Sequence, residues 1–177
     1  QGILSKDEVK VILSALLHIR KMYDDGQFKL DPKKEDVHMN IESYVTEHFD
    51  QEVGRRIHTG RSRNDQIVCD MRLYLREKAL QMTDSLIQLV EVLLNLAKEH
   101  TETVMPGFTH YQHATISTFG HLLVSYAQAL ERDLERLELT YSIINRNPLG
   151  AAAGYGTSWN LDRELTTKLL GFDEVQE

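Results

Sequence analysis

The sequence predicts a nearly all-helical fold, and three observations carry that expectation. Only Pro32, Pro106 and Pro148 interrupt 177 residues. The ten glycines cluster mainly outside the periodic segments. Two long stretches repeat apolar residues at steps of three and four, the spacing of one helical face. With 41% hydrophobic residues the chain can build one core and is about one domain long.

The first helix is expected to start at Ser5, whose hydroxyl with Glu8 three residues on makes a capping box. Val9, Ile12, Leu13, Leu16, Leu17 and Ile19 follow at helical spacing until Asp24-Asp25-Gly26. A polar stretch from Gln27 to Asp36 leads to a short helix from about Val37 to Phe49. From Ser62 to about His100, Val68, Met71, Leu75, Ala79, Met82, Leu86, Leu89, Leu93 and Leu96 form a coiled-coil-like seam. At ~1.5 Å per residue that rod is about 58 Å long, against a radius of gyration near ~16 Å for a compact chain of this size. A second seam runs through Ile116, Phe119, Leu123, Tyr126, Leu130, Leu134, Leu137, Tyr141 and Ile144. Apolar faces this long exceed what the rest of the chain can cover, so an oligomer built on a helix bundle is expected.

Charge narrows the function. Twenty-seven acidic against twenty basic residues give a net −7, with a pI of about 5.6. No electrostatic footprint exists for wrapping nucleic acid or lying on an anionic membrane. The greasiest stretch, Leu86 to Ala97, is interrupted by Gln88, Glu91 and Asn95 and falls short of the ~20 apolar residues of a membrane helix. The lone Cys69 fits a reducing cytoplasm and excludes an internal disulfide or a four-cysteine zinc site. The amino terminus carries no signal-peptide pattern and no initiating methionine, so a piece of a longer protein is expected.

Three polar or glycine-rich segments lie at the rod ends, where a helical scaffold presents chemistry. His58-Thr59-Gly60-Arg61-Ser62-Arg63-Asn64-Asp65-Gln66 opens the longest helix. A helix N-terminus favours anions, and Arg61 and Arg63 add forked donors matched to carboxylates, so one reading is a carboxylate clamp. The other is a capping box, Ser62 with Asp65, flanked by solvated arginines. Met105-Pro106-Gly107-Phe108-Thr109-His110-Tyr111-Gln112-His113 begins as a turn and gathers a hydroxyl, an imidazole and an amide. His110 can serve in proton transfer or stabilise a carboxylate, because either charge state is accessible near neutrality. His110 and His113 have no further ligands for a metal. Asn147 to Ser158 is rich in small residues and lets backbone approach a ligand, or simply turns a tight corner; it matches no dinucleotide or phosphate-loop pattern. Glu35 to Glu42, which includes Asp36 and His38, can cap a helix or lend polar groups to a site.

Taken in this order, the segments resemble the argininosuccinate lyases, a family of the fumarase/aspartase superfamily. The His58-to-Gln66 run is similar to that family's own signature. Asp36-Val37-His38 with Glu42, Met105 to His110 with Gln112, Asn147-Pro148-Leu149-Gly150 and Leu161-Asp162-Arg163-Glu164-Leu165 support it. The resemblance implies an all-α, long-helix bundle of the fumarase/aspartase type with a smaller N-terminal helical portion, divided into residues 1–60 and 61–177. It implies a cytoplasmic homotetramer whose active sites are shared between subunits. The implied reaction is the reversible β-elimination of argininosuccinate to arginine and fumarate, with no cofactor and no metal. By the same resemblance Arg63 and Asn64 bind substrate, Thr109 contacts a substrate carboxylate, and His110 belongs to the catalytic apparatus. Asp36, His38, Arg61, Ser62 and Gln112 line the site.

Two departures stand against the family pattern. Gln112 is followed by His113-Ala114-Thr115-Ile116, where the family has a small residue and a proline-containing stretch. The flexible Gly-Ser-Ser and Pro-Gln-Lys loop, which carries the serine favoured as general base, is missing from these residues. The piece alone is therefore expected to be inactive. The rival readings are another fumarate-releasing lyase such as adenylosuccinate lyase, a crystallin-like structural protein on the same scaffold, and a non-enzymatic helical interaction module.

Overall fold

The computed structural model describes residues 2–177. Ten elements follow in chain order: α1 (Lys6–Asp24), α2 (Val37–His48), α3 (Gln51–Arg56), α4 (Arg63–Glu99), β1 (Val104–Thr109), β2 (Gln112–Thr118), α5 (Phe119–Ile144), β3 (Arg146–Asn147), α6 (Arg163–Leu170) and β4 (Glu174–Val175). The chain is mostly helical, as the periodicity predicts.

Side-chain caps set the helix starts. At α1 the Ser5 hydroxyl accepts from the Glu8 N–H at 3.2 Å while the Glu8 carboxylate accepts from the Ser5 N–H at 2.7 Å, which completes the capping box. Asp36 caps α2 by accepting from the Met39 N–H at 2.7 Å, and Asp50 caps α3 by accepting from the Val53 N–H at 2.9 Å. Thr118 caps α5 by accepting from the His121 N–H at 3.2 Å. That cap corrects the second seam, which begins at Phe119 and not at Ile116. The β-branched run Thr115-Ile116 with Ser117-Thr118 prefers extended backbone and pairs with Val104–Thr109 as an antiparallel hairpin. A register shift between Pro106 and Phe108 falls where Gly107 stands.

The chain packs as two compact units. One comprises Gln1–Ile67 with Pro148–Thr166, and the other comprises Val68–Asn147 with Thr167–Glu177. In the first, α1 presents Ile12, Ala15 and Ile19 to two small cores. Ile12 meets Val53 and Ile57, while Ala15 and Ile19 meet Val45. Gly54 is required there, since a Cβ would come within 2.6 Å of the Thr46 Cα. Leu13 and Leu17, which the periodicity includes in the same stripe, stay exposed. In the second unit Arg76 lies 4.8 Å over the Phe172 ring and donates to the Leu170 carbonyl at 3.2 Å. The Asn147 amide donates to the Thr167 hydroxyl at 2.9 Å. Most of the α4 seam is bare: Val68, Met71, Leu75, Met82 and Leu89 are all exposed.

No helix among the described residues is long and apolar enough to cross a membrane.

Candidate active site

In the first unit the site is built where α4 begins. Ser62 precedes the helix, and its hydroxyl accepts from the Asn64 N–H at 3.2 Å. The expected Ser62–Asp65 cap forms only by its return half: the Asp65 carboxylate accepts from the Ser62 N–H at 3.1 Å. The other Asp65 oxygen accepts from the Gly150 and Ala152 N–H groups at 3.0 and 2.8 Å. Asp65 is only 4% exposed, so these bonds solvate a buried carboxylate in place of water. They also fasten the glycine- and alanine-rich segment to the helix start, and the Asn64 amide continues the join by donating to the Ala153 carbonyl at 3.3 Å.

Gly150 explains why that segment needs its small residues. Its φ is +95°, and a Cβ would sit 2.8 Å from the Arg163 Cδ. Arg163 in turn donates from Nε to the Leu149 carbonyl at 2.8 Å. The Leu161-to-Leu165 motif thus supplies the brace for the Pro148-Leu149-Gly150 turn.

Arg63 does not stand as an open clamp. Its Nε pairs with Asp36 at 2.7 Å and its Nη1 with Glu42 at 3.2 Å. Nη1 also donates to the Gln66 amide oxygen at 2.9 Å. The Nη2 group has no partner among the described residues. The buried His58 Nδ1 approaches the same Glu42 Oε1 at 3.3 Å without hydrogen-bond alignment. Arg61 is exposed, and its guanidinium makes no ion pair or hydrogen bond among the described residues. Arg61 and the half-buried His38 line one cavity of about 130 Å³, together with Leu16, Ile41 and Gln66.

The remaining candidates belong to the second unit, on the hairpin. Thr109 and Gln112 are paired across a two-residue turn. His110 and Tyr111 occupy that turn with φ of 48° and 62°. Two consecutive left-handed residues make the mirror-image turn that suits hairpin twist, a position normally held by Asn-Gly. Neither His110 nor Tyr111 has glycine's freedom, and such residues cost ~1–3 kcal/mol each and cluster at functional sites. Thr109, His110 and Gln112 are all exposed.

The structure therefore gathers Asp36, Ser62, Arg63 and Asn64 in one unit, with His38 and Arg61 on a shared cavity, and Thr109, His110 and Gln112 on the hairpin of the other. Sequence reasoning named Asp65 as the partner of Ser62 but missed its bonds to Gly150 and Ala152, and it missed Glu42 and Gln66 as acceptors for Arg63. For Glu42 a signal was present, since Asp36 and Glu42 bring two acids to α2 while the α4 start brings a cluster of cations.

The lyase family profile matches residues 1–176. The chain belongs to the lyase family. It is 45% identical over 177 residues to the argininosuccinate lyase of Methanosarcina barkeri, covering 100% of this chain and 35% of that protein. To the argininosuccinate lyase of Methanococcus aeolicus it is 46% identical, covering 99% of this chain and 36% of that protein. The chain spans about a third of the length of the curated relatives it matches. Among solved structures, an EDDS lyase variant with bound fumarate superposes with a TM-score of 0.87 at 34% identity, covering 99% of this chain and 34% of that one. A fumarate lyase:delta crystallin from Brucella melitensis shares the fold, with a TM-score of 0.79 at 20% identity over 98% of this chain and 43% of that one. The family's helical architecture is thus the architecture of this chain.

Proposed function

We propose that the full-length lyase containing this chain eliminates fumarate from argininosuccinate and releases arginine. The observation that carries the reading is identity of 44–46% to argininosuccinate lyases over essentially the whole chain. The chemistry requires a proton to leave the carbon beside a carboxylate, which builds a doubly charged aci-carboxylate, while the guanidino nitrogen departs with a proton. Preorganised donors aimed at such charge supply roughly 10²–10³ in rate each. In this reading Arg63 through its Nη2, Asn64, Arg61 and Ser62 bind the substrate beside Asp36 and His38. Thr109 and Gln112 hold a carboxylate, and His110 transfers a proton or supports its transfer.

The proposal extends to a homotetramer with shared sites, supported by the exposed Val68, Met71 and Leu75 on α4. Residues 1–60 then belong to the N-terminal helical domain and 61–177 to the central bundle, in a cytoplasmic enzyme. Residues 1–177 alone are not expected to turn over. The test is the ultraviolet absorbance of fumarate after argininosuccinate is added to the full-length protein. Its absence defeats the reading. One observation favours a second reading, the 34% identity to EDDS lyase: release of fumarate from EDDS but not from argininosuccinate would select it.

A further inference from the structure

Arg63 opens α4, where the helix dipole disfavours a cation by ~0.3–1 kcal/mol. Its side chain is only 22% exposed, as is Asp36, and Glu42 is 27% exposed. A half-buried guanidinium at the positive end of a helix stays in place only if anions hold it. The two carboxylates that do so are not equivalent. Asp36 has a second task, since its other oxygen caps α2 through the Met39 N–H. Among the described residues the Glu42 carboxylate serves nothing but this cluster, and one oxygen, Oε1, faces both Arg63 Nη1 at 3.2 Å and His58 Nδ1 at 3.3 Å. With Nε and Nη1 so engaged, the guanidinium cannot swing, and Nη2, the one group uncommitted among the described residues, is offered in one orientation.

We propose that Glu42 is a positioning residue of this site, acting through Arg63 to fix the Nη2 donor for a dicarboxylate ligand. The assignment rests on the proposed function for what the donor meets, but it concerns a side chain to which the family resemblance gives no role and which the proposed function does not place against substrate. A carboxylate beside an anion-binding group weakens the attraction for the ligand, so its presence has a use only if orientation outweighs charge. Glu42 therefore makes an opposite prediction to simple electrostatics: removing its negative charge lowers, and does not raise, affinity for a dianion.

The experiment is a double-mutant cycle in the full-length protein, read both in fumarate binding by calorimetry and in kcat/KM with argininosuccinate. Glu42→Gln keeps the shape and removes the charge. It should weaken fumarate binding by about tenfold, and Arg63→Gln should weaken it by at least as much. The double variant should match Arg63→Gln within about twofold, because residues that act as one unit are non-additive. Glu42→Asp, which keeps the charge but withdraws it by one methylene, should lose nearly as much as Glu42→Gln. Should Glu42→Gln fail to fold, the Asp variant carries the same cycle. Tighter or unchanged fumarate binding in either Glu42 variant, or losses that multiply in the double variant, overturns the proposal. A wild type that binds fumarate but releases none from argininosuccinate sinks the lyase reading and leaves the cycle readable in binding. A wild type that shows neither binding nor turnover overturns both.

Discussion

Asp65 offers the most quantitative prediction. Replacing it with alanine strands three backbone donors, those of Ser62, Gly150 and Ala152, which now reach the carboxylate at 3.1, 3.0 and 2.8 Å. A hydrogen bond to a charged group contributes ~1.5–3 kcal/mol, and an unsatisfied buried donor costs ~1–3 kcal/mol. The three cannot simply be summed. Ser62, Gly150 and Ala152 are each half-buried, so water admitted to the alanine cavity restores part of the loss. An intermediate figure of about 3–4 kcal/mol follows for Asp65→Ala. Asp65→Asn, which keeps one oxygen, should cost about half. The loss is local, so the assay is amide hydrogen exchange of the Gly150–Ala153 segment in the full-length protein. There ~3 kcal/mol corresponds to roughly a hundredfold faster exchange through local opening. Exchange in that segment unchanged within about twofold in both variants would show that Asp65 is a solitary helix cap and refute the brace.

Further outcomes follow from the same contacts. His110→Ala in the full-length protein should lower kcat by ~10² or more with little change in KM, as for a proton-transfer group; a defect confined to KM refutes that role. Gly150→Ala forces a Cβ onto Arg163 at a φ of +95° and should destabilise the protein by ~1–3 kcal/mol in thermal unfolding, whereas wild-type stability would mean the turn is not held as described. The Ser5 N–H and then its hydroxyl hold the Glu8 carboxyl below its ordinary value of 4.5. A group depressed in the folded state contributes stability above its unfolded pKa and loses it as the pH falls through the folded value. The α1 start should therefore fray under acid conditions, and Ser5→Ala, which removes the hydroxyl but keeps the backbone N–H, should return the Glu8 carboxyl-carbon titration part of the way toward normal; an unmoved midpoint shows that the hydroxyl does not hold the carboxylate.

Where local chemistry decides the structure, the sequence was transparent. The Ser5–Glu8 box, the Asp24-Asp25-Gly26 stop and the extent of α4 depend on residues within a turn of one another. The hairpin was half visible: Pro106-Gly107 announced a turn, but the true turn lies at His110-Tyr111, two residues with no turn preference. The Leu13 and Leu17 positions mislead because periodicity reports which face is apolar, not whether anything covers it. The helix start was legible as a concentration of charge, yet its geometry was not. Arg63 reads as a free clamp until Asp36 and Glu42, more than twenty positions earlier, are seen to occupy it.

The first packing unit is discontinuous, closing only when Pro148–Thr166 returns to Gln1–Ile67. The Asp65 carboxylate must wait for amides 85 and 87 positions downstream. On the ribosome, the motif that most resembles an active site is thus translated early but finished late, after both rods have emerged. Closing so long a loop carries an entropic cost that early local contacts do not repay. A nascent chain from which residues 150–152 have not yet emerged should then leave the Asp65 carboxylate without its Gly150 and Ala152 partners, and protease susceptibility at Gly60–Asn64 during synthesis would time the completion of that contact.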